Sequence, residues 1–356
     1  VALEGKREEK DFFEGVEREI RSRAGEVPGG PKGFDSVYFG GGTPSYVDAP
    51  RLGRLLGTFK EIFGLSSDVE ITAEANPDDL DVSKICDLQK IGVNRLSVGV
   101  QSLVDAELVP LERRHDAAAA RKAVKAAVEA FGNVSADLMI GIPGQTPESL
   151  RTSLEGLLGA GVTHLSVYLL EIEKAPRLVG LRDAQPSLFA GEDEMADRWL
   201  EVDERLENAG LPRYEISNWA RPGRESRHNL KYWTQVPVLG FGVAAHSFDG
   251  TRRYANTGML AEYLRRTREG QSTTATSEEP EGSDFLRRKE GIMLGLRLSG
   301  GVPSSSFEEI CRTLPAAAAS QLKDAFTAGL LEGSRSSVRL TRKGVLLSNE
   351  VFSALV

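Results

Sequence analysis

A chain of 356 residues with 40% hydrophobic content can bury a large core, and its length suggests one large domain with a smaller one beside it. The formal charge of −8 and a pI near 5.3 argue against a general binder of nucleic acid or anionic membrane. No apolar run approaches the roughly 18–20 residues needed to span a bilayer, the two cysteines make no disulfide framework, and no signal-like segment opens the chain, so a cytoplasmic protein is expected.

Phe12, Phe13, Val16 and Ile20 recur at helical spacing among charged residues and predict a first helix, ending before the Gly-Pro-rich stretch 25–33. An apolar strand follows, VYFGGGTP, whose end carries Gly40, Gly41 and Gly42 and then Thr43 and Pro44. Three glycines at a strand end permit positive φ and a close backbone approach. They suit either a ligand-holding loop or a tight turn. The loop is neither G-x-G-x-x-G nor a phosphate loop.

Helix and strand then alternate: helix 49–63, strand 69–75, helix 81–91, strand 95–101, helix 117–131, strand 134–142, helix 147–160 and strand 164–172. Five near-continuous apolar strands separated by helices predict a parallel sheet with both faces covered. Polar residues gather after each strand: Gly40 to Thr43, Glu74 with Asn76, Gln101 with Ser102, Asp137 with Gly141, and Glu171. A functional rim after every strand favours a (β/α) barrel over an open doubly wound sheet, which uses only its switch point.

Glu74 alternates with Ile71, Ala73 and Ala75, so it faces away from that small apolar set and into the barrel. A carboxylate there needs a partner. Arg95 and Arg113 are structural partners to weigh against a cationic ligand, and Asp137 poses the same choice. Gln101 and Arg113 alone read equally as surface or capping residues.

The succession YFGGGTP, ITAEANPDD, RLSVGVQS, DLMIGIPGQTPESL and HLSVYLLEIE resembles the radical S-adenosylmethionine (SAM) enzymes of the oxygen-independent coproporphyrinogen III oxidase class, in consistent order from about Phe12 to the end. Downstream, RYEISNWARPGRESRHNLKYW and VLGFGVAAHSF are similar to the heme chaperone (HemW) branch rather than to the oxidase proper. The resemblance implies an α/β fold, a partial (β/α)6 TIM-like barrel of the radical SAM type. It also implies a [4Fe-4S] cluster on a C-x-x-x-C-x-x-C loop after the first strand. Such a loop does not occur in these residues, so metal ligands in this chain are expected to be none. Cys86 and Cys311 read as buried small apolar residues. Because the chain opens on Val1, the first barrel strand and cluster loop are expected upstream of it; natural loss of the cluster is the alternative.

Carried over by position, the resemblance assigns Gly41, Gly42, Thr43 and Glu74 to SAM and places Gln101, Arg113 and Asp137 in a SAM or substrate site, with Arg114 competing for the Arg113 role. Carbonyls and carboxylates suit the ammonium and sulfonium of SAM, and an arginine suits its carboxylate. The HNxxYW block offers His228 as an axial heme ligand and Tyr232 and Trp233 as stacking surfaces. His246 is a second histidine, read as a core residue.

The acidic stretch 278–283 reads as a linker. Helices near 285–296, 307–313 and 316–328, a turn at Gly333-Ser334, a strand at 338–340 and a last helix capped by Thr341 predict a small winged-helix-like α+β domain. From 281 to 356 ten Lys/Arg face eight Asp/Glu, too weak a balance for a nucleic-acid footprint, so a lid or protein-docking role is expected. The expected organisation is a barrel over 1–215, a connecting region over 216–280 and the small domain over 281–356. The resemblance implies a heme chaperone with SAM and a [4Fe-4S] cluster as cofactors, heme as cargo and a heme-accepting protein as partner. The alternatives are the oxidase, which decarboxylates porphyrinogen propionates by radical chemistry, and a cluster-free barrel used as a binding module.

Overall fold

The computed structural model describes residues 6–26, 33–278 and 284–356. Most of the expected linker falls outside them. The main sheet is built from β1 (Phe34–Phe39), β2 (Leu65–Ala75), β3 (Arg95–Gln101), β4 (Val134–Ile140) and β5 (His164–Leu169), followed by the short β6 (Arg213–Glu215) and β7 (Asn218–Ala220). Its order is β1-β2-β3-β4-β5-β7-β6. The first five strands are parallel and each pairs with its successor in sequence. An order that never reverses has no switch point, which is the singly wound arrangement of a partial barrel. Antiparallel β7 pairs with β5, and β6 beyond it forms the far edge.

The crossover helices begin and stop where the sequence punctuates them. Asp116 caps 117–131 by accepting from Ala119 N at 2.7 Å, and the helix ends at Gly132 with φ 62°. Thr146 and Ser149 form a capping box on 147–160, with Pro147 in the first turn and Gly161 at φ 87° as the stop. These helices cover one face of the sheet only. Ile71, Ala73 and Ala75, then Leu96, Val98 and Val100, then Val134, Ala136, Leu138 and Ile140, then Leu165 and Val167 lie in one core with them. The opposite face carries Thr72, Glu74, Arg95, Ser97, Gln101, Ser135, Asp137, His164 and Ser166. The expectation of strands apolar on both sides is therefore corrected. Small and charged polar residues alternate through the runs and give the half-barrel a polar lumen.

Residues 246–278 form a second sheet of β8 (His246–Phe248), β9 (Arg253–Asn256) and β10 (Thr274–Glu278). The first helix, Lys6–Ser22, packs against helices 49–63 and 260–269, with Val16, Ile20, Leu55, Phe63, Tyr263 and Leu264 as its own apolar cluster. At the centre of this union Glu19, 2% exposed, accepts from Gly242 N, Asn256 Nδ2, Tyr263 Oη, Thr273 Oγ1 and Arg23 Nη1 at 2.7 to 3.2 Å. Beyond residue 284, helices 284–295, 304–313 and 316–327 stand beside a sheet of β11 (Val302–Pro303), β12 (Leu331–Gly333) and β13 (Ser337–Leu340), and Thr341 caps the helix that follows.

Candidate cofactor site

The glycine run at the end of β1 turns over Glu74. A Cβ on Gly40 would lie 2.7 Å from Tyr38 Cε1 and 2.9 Å from Glu74 Oε1, so a side chain there would displace Tyr38 or Glu74. Gly41 has φ 80°, a conformation favourable to glycine, which lets its N–H donate to Glu74 Oε2 at 3.2 Å. Tyr38 Oη donates to Glu74 Oε1 at 2.9 Å. Burial raises the Glu74 carboxyl above its ordinary range, and these two donors pull it back only in part. Neither Arg95 nor Arg113 pairs with Glu74. Its partners are a tyrosine and a backbone amide.

Asn76, just past β2, organises the rest of the rim. Its Nδ2 donates to Thr43 Oγ1 at 3.2 Å, and its Oδ1 accepts from Arg113 Nη2 at 2.7 Å. The same Arg113 nitrogen donates to Gly99 O at 2.9 Å, across a Cβ-free surface that brings Gln101 Nε2 close. Arg114 turns outward to Asp78 and Asp79, so Arg113 is the arginine at the rim. Gln101, a non-glycine residue, holds φ at 66°, and its buried Oε1 has no hydrogen-bond partner. Backbone strain and an orphan acceptor together at a strand end are features that a bound ligand would account for.

Asp137 faces the lumen from β4. Burial first, and then the Glu74 charge, push its pKa up to about 6 against the pull of the Ser166 hydroxyl, Arg95 and Arg113. A folded pKa above the unfolded value means stability that is complete below about pH 4 and is lost as pH rises through about 6. Asp137→Asn is accordingly expected to be more stable than the parent at pH 7.5 by about 1–2 kcal/mol, with the advantage vanishing near pH 4. Urea unfolding at the two pH values checks this, and equal midpoints at pH 7.5 would remove the burial argument.

These groups fit SAM. Two lumen carboxylates and exposed glycine backbone suit its cationic end, the Arg113 guanidinium suits its carboxylate, and Gln101 Oε1 offers an acceptor with nothing yet to accept. When bound, SAM supplies a cleavable sulfonium. The groups that would hold it are Glu74, Asn76 with Arg113, and the glycine loop. A [4Fe-4S] cluster is not fitted by the residues described. Among them no group of three or more His, Cys, Asp or Glu could hold a metal, and Cys86 and Cys311 lie on separate helices. Cys86 is exposed rather than buried, and Cys311 is half-buried. Glu171 lies exposed beside Lys174 rather than in the site.

The HNxxYW helix, Arg227–Trp233, abuts β1. Ser226 caps it, and the Glu70 carboxylate accepts from the N–H groups of Arg227 and His228 at 3.2 Å each. His228 Nδ1 meets Ser36 Oγ at 3.2 Å, Nε2 meets Tyr232 Oη at 2.9 Å, and the ring stacks on Tyr38 with centroids 5.1 Å apart. Burial, helped by the Lys231 and Arg95 charges, pushes the imidazole down to about 4, so it is neutral at neutral pH. Tyr38 thus bridges the two sets of residues, one hydroxyl on Glu74 and one ring face on His228. Sequence reasoning missed this tyrosine, although its place two residues before the glycine run was a usable signal. Trp233 points elsewhere, with the Arg297 guanidinium 4.3 Å from its ring centroid. His246 is exposed on β8, not a core residue.

Residues 5–157 match the radical SAM superfamily and 287–347 the HemN C-terminal domain. The chain is 34% identical to the heme chaperone HemW of Bacillus subtilis over 97% of its own length and 91% of the relative's. It is 35% identical to that of Mycobacterium tuberculosis over 90% and 80%, and 28% identical to that of Escherichia coli over 98% and 91%. Its fold is similar to coproporphyrinogen III oxidase (HemN) from E. coli, with a TM-score of 0.82 at 22% identity over 99% of this chain and 84% of the other. The radical SAM assignment carries SAM and a [4Fe-4S] cluster as the family's cofactors. By sequence over nearly its whole length, this chain belongs to the heme chaperone HemW family of radical SAM proteins.

Proposed function

We propose that the protein binds heme and passes it to an acceptor protein in the cytoplasm, with SAM held at the rim by Gly41, Gly42, Thr43, Glu74, Gln101, Arg113 and Asp137. The observation that carries the reading is the near-complete match to heme chaperones, joined to a neutral His228 beside the half-exposed Tyr232. A neutral imidazole is the form that ligates heme iron. Both ring nitrogens are engaged here, so ligation through Nε2 requires the Tyr232 hydroxyl to swing aside. Tyr232 is 43% exposed and free to do so on its solvent side. No helix among the described residues is long and apolar enough to cross a membrane.

Titration of hemin into the parent and into His228→Ala, followed by the Soret band, tests this. The parent is expected to saturate with a shifted band, and the variant to bind about 10-fold or more weakly with an altered spectrum. Identical spectra and affinity would remove His228 as ligand, and absence of uptake by the parent would remove the heme reading. Anaerobic turnover of coproporphyrinogen by reconstituted protein would instead favour the oxidase.

A further inference from the structure

Below the rim, the lumen contains a polar pair for which the cofactor site gives no use. Thr72 is 0% exposed and its Oγ1 has no hydrogen-bond partner; Arg95 is 2% exposed and its Nε has none. They are register partners across β2 and β3, and both face the lumen. Arg95 makes no ion pair and no side-chain hydrogen bond among the described residues. A buried guanidinium without a counter-ion is costly, since desolvation is repaid only by close, well-shaped acceptors. Its charge reaches Tyr38, Asp137, His164, Tyr214 and His228, so it sits centrally in the lumen, although none of these groups pairs with it.

Gln101 and Arg113 at the rim do not account for this pair: Arg95 opens β3 and Gln101 ends it, a separation of about 20 Å at roughly 3.3 Å per residue, and even Glu74, in register with Ser97, stands about 7 Å further along the strands. The pair stands instead at the level of the histidine. Thr72 is also the register partner of Tyr38, whose ring carries His228. A guanidinium presents parallel N–H groups matched to the two oxygens of a carboxylate, and a threonine hydroxyl adds a third donor.

We infer that Arg95 and Thr72 form a carboxylate subsite in the lumen that takes a propionate of the bound tetrapyrrole. The subsite rests on the heme reading above and adds how the macrocycle is oriented. One carboxylate neutralises the Arg95 cation, and its oxygens satisfy the two orphan donors.

The test compares hemin with its dimethyl ester, in which the propionates cannot pair with arginine, on the whole protein carrying Arg95→Met, Arg95→Lys or Thr72→Val. The parent is expected to bind hemin about 10-fold or more tightly than the ester. That ratio should fall to about one in Arg95→Met, and part of the way in the other two variants, while SAM affinity stays at the parent value throughout. Circular dichroism reports whether Arg95→Met folds, and Arg95→Lys and Thr72→Val carry the comparison if it does not. Equal parent affinities for hemin and ester overturn the subsite alone, as does an unchanged ratio in the folded variants. Failure of the parent to take up hemin overturns the heme reading and the subsite with it.

Discussion

Replacing Glu19 by alanine is expected to cost about 3–5 kcal/mol of folding stability, the largest loss we anticipate from any single side chain outside the cofactor site. Its carboxylate accepts five hydrogen bonds, four of them from residues more than 200 positions away. Truncation leaves Tyr263 Oη and Gly242 N without that acceptor, and removes the more buried of the two carboxylates paired with Arg23. Arg23 keeps Gly240 O, Tyr254 Oη and Glu26, so its charge is not wholly stranded. Glu19→Gln retains the shape but turns an amide NH2 toward donors, and should lose about half as much. Denaturant midpoints read both variants. A loss below about 1 kcal/mol for the alanine would mean that water replaces the carboxylate in the network.

The second large effect is on SAM. Glu74→Gln is expected to weaken SAM binding about 10- to 100-fold, read by isothermal titration, because a charge-assisted contact to the ammonium becomes a neutral one. Stability at neutral pH should not fall, since burial already disfavours the ionised form. The amide oxygen still accepts from Gly41 N, and the amide NH2 can donate to the Tyr38 hydroxyl, which accepts as well as donates. SAM affinity equal to the parent's would assign Glu74 to holding the glycine loop and nothing more.

Much of this architecture was legible in the chain. Strand and helix alternation located β1 to β5, and the polar residues after each strand located the rim, because parallel strands of one barrel place their ends on one face. Alternation within ITAEA also gave the direction of Glu74. What could not be read has physical causes. Strands β6 to β9 run to three or four residues, too short for any period to emerge. Arg113 and Arg114 are adjacent and chemically alike, and only the positions of Asn76 and Asp78 sort them. Cys86 occupies an exposed position beside buried Ile85, a distinction of one residue on a short helix. The stacking of Tyr38 on His228 joins residues far apart in sequence, as does the Glu19 network, and local pattern carries no trace of either.

The separation between those partners has a kinetic consequence. Each pairing in the parallel sheet closes a loop of roughly 20–40 residues, a modest entropic demand that can be met as each successive unit leaves the ribosome. The first helix is different. Its buried carboxylate waits for Gly242, Asn256, Tyr263 and Thr273, so a helix synthesised before the sheet is among the last elements to be locked in place. Weakening that lock leaves assembly of the sheet untouched and hastens the opening of the native protein.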